Sequence, residues 1–156
     1  MIAVVQRVTE AKVQVEGRIV GQIGEGMLVL LAVEREDTGE QVKWIAQKLA
    51  TLRIFRQGDK YFDADVSQIG GSILLVSNFT VAAETRQGRR PSLSAAAEPE
   101  KAQQLFDDVV GAVRALGVRT ETGQFRASML VSLTNDGPVT FIVDSKDRSL
   151  ASHASP

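Results

Sequence analysis

Apolar and polar positions alternate from the start of the chain. Residues 2–8 read as a buried strand, Lys12 to Glu16 sets Val13 and Val15 on one face, and Gly17-Arg18 makes a turn. A further strand over Ile19 to Ile23, Gly24-Glu25-Gly26 and the apolar run Met27 to Val33 complete a β-rich section that charged Glu34-Arg35-Glu36-Asp37 closes. Strands following one another without a helix between them predict antiparallel neighbours. The period then changes. Val42, Ile45, Leu49 and Leu52 recur at three and four, which predicts a helix over about 38–50 with one buried stripe and Trp44 at its edge. Asp37 and Glu40 have the spacing of a capping box at its start.

Leu52 to Phe55 reads as a strand and residues 56–60 as a loop. Ile73 to Val76 is unbroken apolar, the pattern of a strand covered on both faces. A second helix is predicted from Pro99, at its first position, to about Leu116, with Gly117 as a left-handed cap and Glu98 at the N-cap. Its stripe is Ala102, Leu105, Val109, Val113 and Leu116. Thr120 to Phe125 reads as loop or short strand. Met129, Val131 and Leu133, then Val139, Phe141 and Val143, read as two strands of a hairpin. Lys146 to Pro156 is polar and small, and reads as a frayed tail behind a single domain of residues 1–145.

The hairpin's connection, Asn135-Asp136-Gly137-Pro138, is a strong turn signal, since Gly supplies positive φ and Asn and Asp bond their own backbone. Two features fit an ordinary hairpin tip poorly. Pro138 removes a donor where the second strand should begin pairing, and an X-Pro bond is the kind that readily becomes cis. A plain turn and a specialised Gly-Pro element both remain open on this stretch alone.

Composition narrows the chemistry. The 156 residues suit one domain, burying about two-thirds of the unfolded surface. There is no cysteine, which removes disulfides, thiolate nucleophiles and sulfur-ligated metals. The one histidine, His153, lies in the tail, so a His-centred triad or a multi-His metal site needs that tail to fold back. A net charge of −1 gives no global attraction for nucleic acid, and any RNA contact must be local. The longest apolar run is too short to span a bilayer and the N-terminus lacks a signal peptide's pattern, so the expected setting is cytoplasmic.

What remains for chemistry is hydroxyls, amides, carboxylates, arginines and the backbone. Asp63 and Asp65 are too few for a metal site, and no metal or cofactor is expected. The core strand at Ile73 turns polar in Ser77-Asn78-Phe79-Thr80, which reads either as a site or as a strand running out into solvent. Arg86, Arg89 and Arg90, within a Gly/Pro-containing loop, suit phosphate oxygens or simply a solvated loop. Thr80 has no neighbouring base to activate it as a nucleophile. An enzyme of this composition must act on a substrate already labile, or one carrying its own catalytic group, and contribute position and oriented dipoles.

Together these residues resemble a known family. Ser77-Asn78-Phe79-Thr80-Val81 and Asn135-Asp136-Gly137-Pro138-Val139-Thr140 look like the two signature motifs of D-aminoacyl-tRNA deacylase, the D-tyrosyl-tRNA deacylase family. Met1 to Val8, Arg86 with Gly88, Arg90-Pro91-Ser92 and Thr122-Gly123-Gln124-Phe125 are similar too, and the likeness covers about residues 1–143. The family usually has Gln where this chain has Asn78, and Leu where it has Val81.

The resemblance implies a hydrolase that cleaves the ester between a D-amino acid and a tRNA's terminal adenosine, with aminoacyl-tRNA bound by its acceptor end. It implies a homodimer whose active sites lie at the subunit interface. It also implies a cis Gly137-Pro138 bond, reaching from one subunit into the other's pocket so that the main-chain oxygens of Gly137 and Pro138 form a chiral wall. Glycine has no side chain to collide, and the family also accepts glycyl-tRNA mischarged on tRNA(Ala). Ser77, Asn78, Phe79 and Thr80 would orient the substrate, with backbone N–H groups near Phe79 and Thr80 facing the developing oxyanion. The adenosine ribose hydroxyl, or in a competing scheme Thr80 itself, would be the catalytic group. Arg7 would hold Pro138 or make a structural salt bridge. Phe125, Ala127 and Met129 would line the adenosine pocket, with core packing the other reading of Met129.

For the fold, the order of elements and the family imply an α/β (mixed α+β) domain. It is a three-layer α/β/β arrangement of mixed, largely antiparallel sheets and two main helices, with the strands facing the dimer partner. Two other functions stand beside this one: a sibling deacylase that clears L-alanine from wrongly charged tRNA, and a non-catalytic RNA-end-binding dimer. A DNA-unwinding role attributed to some eukaryotic relatives has no counterpart in this sequence.

Overall fold

The computed structural model describes residues 1–148. In chain order its elements are β1 (Ile2–Val15), β2 (Arg18–Ile23), β3 (Gly26–Ala32), α1 (Gly39–Thr51), β4 (Phe55–Gln57), β5 (Lys60–Ala64), β6 (Ser72–Ser77), α2 (Pro99–Ala115), β7 (Arg119–Thr122) and β8 (Leu130–Asp144). Six strands form one sheet in the order β2-β1-β3-β6-β7, with β8 also pairing β1. β1 is antiparallel to β2, which follows it through the Glu16-Gly17 turn, and also to β3 and to β8 from the far end of the chain. β3–β6 and β6–β7 are parallel, because α1 and α2 lie in the crossovers between them.

The alternation of β3 and β6 serves two cores. Met27, Val29, Leu31, Ile73 and Leu75 pack against α1 and α2, through Val42, Ile45, Leu49, Phe106, Val109 and Val113. The intervening Leu28, Leu74 and Val76 face a second cluster, made with Val8, Ala11 and Val13 of β1 and Ile23 of β2. Helices, central strands and the folded-over end of β1 and β2 are therefore the three expected layers. Each fully buried Leu or Ile contributes about 1.5–3 kcal/mol. β1 joins both cores because its phase flips. Ala3 and Val5 face the helices, Ala11 and Val13 the other cluster, and register shifts flank Val8 between them. The two segments read separately at 2–8 and 12–16 are thus one bulged strand.

Other boundaries moved for equally local reasons. α1 is capped by Thr38, whose side chain accepts from the Glu40 N–H while Gln41 reaches back to the Thr38 N–H. The Asp37/Glu40 box does not form, because Asp37 accepts from the buried Met1 ammonium at 2.6 Å and from the Glu34 N–H at 2.6 Å. Leu52 to Ile54 carries no ladder, and the strand is Phe55–Gln57, turned at Gly58 onto β5 through part of the expected loop. α2 starts at Pro99 as predicted, but Glu98 makes no side-chain cap. Of the residues expected in a polar tail, Lys146 pairs with Glu34 at 2.6 Å and Arg148 with Glu40 at 2.8 Å, while 149–156 lie outside the described residues. His153 lies outside the described residues.

Glu34 titrates in a way that sets acid stability. Burial alone would raise its pKa, but the Lys146 hydrogen bond and the Met1 ammonium outweigh it and hold the carboxyl below its ordinary 4.5. A depressed carboxylate stabilises the fold above its unfolded pKa, and that contribution is lost as pH falls through the folded value. Stability measured by urea unfolding should therefore hold down to about pH 4.5 and fall below it. Glu34→Gln should flatten that acid limb; an unchanged limb refutes the assignment.

Candidate active site

The largest departure from the sequence reading is at Asn135–Pro138. No hairpin forms there: β8 is one 15-residue strand, antiparallel to β1 on both sides of the motif. Gln6 pairs with Thr140 and Val8 with Asn135, so two steps along β1 match five along β8. The surplus leaves the ladder as a bulge at Asp136, Gly137 and Pro138, all exposed. Its Gly137-Pro138 bond is cis. Gly137 has φ +146°, and a Cβ there would meet Val139 Cγ2 at 2.6 Å, so only glycine fits.

Two side chains brace the bulge. Asn135 Oδ1 accepts from the Val139 N–H at 2.8 Å and its amide donates back to the Val139 carbonyl at 3.3 Å, standing in for the strand partner lost there. The same amide donates to Gln6 Oε1. Arg7, opposite the bulge and only 2% exposed, donates through Nε to the Asp136 carbonyl at 3.2 Å and pairs with the Asp136 carboxylate at 3.0 Å. Its other nitrogens donate to the Ile54 carbonyl at 2.8 Å and the Tyr61 hydroxyl at 3.2 Å. Of the two readings offered for Arg7, the salt bridge is present, made to Asp136 two residues before Pro138.

A cavity of about 460 Å³ opens elsewhere on the chain. Ser77, Asn78 and Phe79, at the end of β6, form one side; Phe125, Arg126, Ala127 and Met129, ahead of β8, form another. A third side is Ala96 and Ala97, just before α2, with Pro99 and Ala102 in its first turns, and Leu30, Val33, Val76 and Val131 complete the lining. The structure thus gathers six expected residues: Ser77, Asn78, Phe79, Phe125, Ala127 and Met129. Arg126 (φ +60°) and the small residues of α2 went unread. Positive φ at a non-glycine leaves no local signal in a stretch without turn motifs, and alanines on a helix look like packing.

After Ser77 the chain makes a 3-10 turn over Phe79–Ala82, capped by Asn78. Asn78 Oδ1 accepts from the Thr80 N–H at 3.3 Å and the Thr80 hydroxyl at 2.5 Å. A short amide suits an N-cap, so Asn in place of the family's Gln is tied into the turn rather than extended. The Thr80 N–H is therefore taken, and the Phe79 N–H, first of the turn, has no acceptor within it. Phe79 itself is 55% exposed beside the cavity. Thr80 does not line the cavity, nor do Gly137 and Pro138. Arg86, Arg89 and Arg90 sit on an exposed loop closed by paired Glu84 and Ser92, with Arg86 3.7 Å from Glu84.

What lines the cavity limits its chemistry. Its polar side chains are Ser77, Asn78 and Arg126, with no carboxylate and no imidazole, so no lining residue can act as a general base near neutral pH. The site can fix a ligand between apolar walls and aim hydrogen-bond donors at it.

Comparison with known proteins agrees over nearly the whole chain. The family model described as D-Tyr-tRNA(Tyr) deacylase matches residues 4–144. The D-aminoacyl-tRNA deacylase of Geobacter sulfurreducens is 50% identical over 149 residues, covering 96% of this chain and 98% of that one. That of Pelobacter propionicus is 51% identical over 144 residues, covering 92% and 99%. Among solved structures, the c-Myc DNA Unwinding Element Binding Protein superposes with TM-score 0.87 at 34% identity, covering 92% of this chain and 98% of that chain. A probable eukaryotic D-amino acid tRNA deacylase superposes with TM-score 0.81 at 16% identity over the same shares, a likeness of fold. With both motifs placed and the match running from β1 to the end of β8, the chain belongs to the D-Tyr-tRNA(Tyr) deacylase family.

Proposed function

We propose that this chain hydrolyses the ester joining a D-amino acid to the terminal adenosine of a tRNA. It works in the cytoplasm as a homodimer whose subunits each lend the Gly137–Pro138 bulge to the other's cavity. One observation carries the reading: the bulge is braced from behind yet faces solvent, away from the cavity of its own subunit. β8, which bears it, is an edge strand with Leu130 and Ile142 each 72% exposed, the kind of surface a second copy covers.

The mechanism follows from the cavity's lining. Adenosine rests between Phe125, Ala127 and Met129, and Arg126 faces its phosphate. The ester carbonyl points to the Phe79 N–H, where an oxyanion would be stabilised. No side-chain base is present, so the ribose hydroxyl beside the ester supplies the catalytic group. Arg86, Arg89 and Arg90 meet phosphates further along the acceptor end.

With the ammonium and carbonyl fixed, handedness decides where the side chain goes. The main-chain oxygens of Gly137 and Pro138 obstruct the L direction and leave the D direction free, whatever the side chain. Glycine escapes such a filter, so glycyl-tRNA is also cleaved.

Single-turnover assays with D-alanyl-, L-alanyl- and glycyl-tRNA test this. The D ester should be cleaved faster than the L ester by about 10³-fold, which corresponds to a clash of roughly 4 kcal/mol. A preference for L-alanyl-tRNA would replace this reading with that of the L-alanine-clearing sibling. Binding of tRNA without hydrolysis would leave a non-catalytic RNA-end-binding dimer.

A further inference from the structure

The β4–β5 hairpin has no part in the cavity, yet it meets Arg7 at two points. Ile54, at its base, accepts from Arg7 Nη1 at 2.8 Å, and Tyr61 on β5 accepts from Arg7 Nη2 at 3.2 Å. The Arg7 guanidinium also lies 5.0 Å from the Tyr61 ring centre, within cation–π range. Arg56, from β4, covers the same ring at 4.3 Å. Tyr61 stacks edge-on with Phe62 at 4.6 Å, and Phe62 with Phe141 of β8 at 5.8 Å. The hairpin therefore touches the bulge-bearing strand twice, once through Arg7 and once through the aromatic stack.

A guanidinium is a rigid planar fork, so its position is set by all of its partners together. Nε points at Asp136, and the direction of that hydrogen bond depends on what holds the other two nitrogens. Ile54 holds one and Tyr61 the other. Without the phenol the fork is free to tilt, and the carbonyl of Asp136, one residue before Gly137, loses its fixed partner.

We infer that Tyr61 is a positioning residue for stereochemical selection, which holds Arg7 from behind so that the Asp136–Pro138 bulge keeps a fixed place. The inference rests on the proposed role of that bulge as a barrier to L esters. Tyr61 touches no substrate. Its loss should therefore admit the wrong hand without slowing the right one.

The test uses the full chain with D-alanyl- and L-alanyl-tRNA in single turnover. Tyr61→Leu removes hydroxyl and ring, and should raise the L rate about 10-fold, the scale of one lost hydrogen bond to a charged group. The D rate should stay within about twofold, since the contact is absent from that reaction's path. Tyr61→Phe keeps the ring and should fall between. An unchanged D/L ratio in both variants, with a lowered ratio in Arg7→Lys, overturns the inference and leaves the functional reading standing. Equal losses on both esters overturn it too, as the mark of a merely structural residue. A wild-type chain that does not discriminate overturns the functional reading and the inference with it.

Tyr61 is the chain's single tyrosine, which allows a check that needs no variant. The hydrogen bond from Arg7, followed by that from Arg56, holds its phenol below the ordinary 10.0. Tyrosinate absorbance should therefore appear at lower pH in the native chain than in the same chain in urea. Coincident midpoints would mean that Arg7 does not engage the phenol, and would overturn the inference.

Discussion

Thr80→Ala should slow single-turnover deacylation of D-alanyl-tRNA by about 10²–10³-fold, with no acyl-enzyme at any time. The Thr80 hydroxyl donates at 2.5 Å to Asn78 Oδ1, an amide oxygen that cannot take up its proton near neutral pH. No activated nucleophile exists in that geometry. What the hydroxyl does is fix Asn78, and through the cap the turn that presents the Phe79 N–H. Removing it leaves one N–H contact of 3.3 Å to hold the amide, so the turn loosens and, with it, the Phe79 N–H proposed above as the oxyanion donor. The expected loss is of the size seen when a single oxyanion donor is lost. Quenched reactions examined by mass spectrometry settle the alternative. Complete loss of activity, or an acyl group carried on Thr80 in the wild type, would make the hydroxyl the attacking group.

Arg7→Ala should destabilise the fold by about 3 kcal/mol, the sum expected when buried acceptors lose a charged donor. For a chain of this length that lowers the melting temperature by roughly 6–12 °C. The guanidinium is buried in a cluster where the Ile54 carbonyl has no water to turn to, whereas the Asp136 carboxylate is half exposed and hydrates readily. Most of the loss therefore lies with the Ile54 carbonyl and with the space vacated between β1 and the hairpin. The same substitution frees the bulge, so D/L discrimination should fall in whatever fraction stays folded. A melting temperature within a degree or two of wild type would show that Arg7 is not the brace described here.

The sequence disclosed some of this architecture and hid the rest for identifiable reasons. Ile73 to Val76 was legible because two cores, one on each face, leave no room for a polar position. The stripes of α1 and α2 were legible because each helix buries one side only. The motif at Asn135 was misread as a hairpin because its local chemistry is that of a turn. What keeps β8 on course is Gln6, far away in sequence, together with an asparagine amide that mimics a strand edge. Asp37 failed as a cap because a terminal ammonium claimed it. One side of the cavity was legible in Ser77-Asn78-Phe79, where a core strand turns polar. The wall from α2 was not, since Ala97 and Ala102 matter there for being small.

The bulge's outward aim also has a consequence for populations of the molecule. If each copy owns a chamber and lends a filter, then joining a copy with a spoiled chamber to one with a spoiled filter yields one sound compartment and one with both faults. Faithfulness then belongs to the pair rather than to either copy, and dilution past the point of separation would leave chambers without filters.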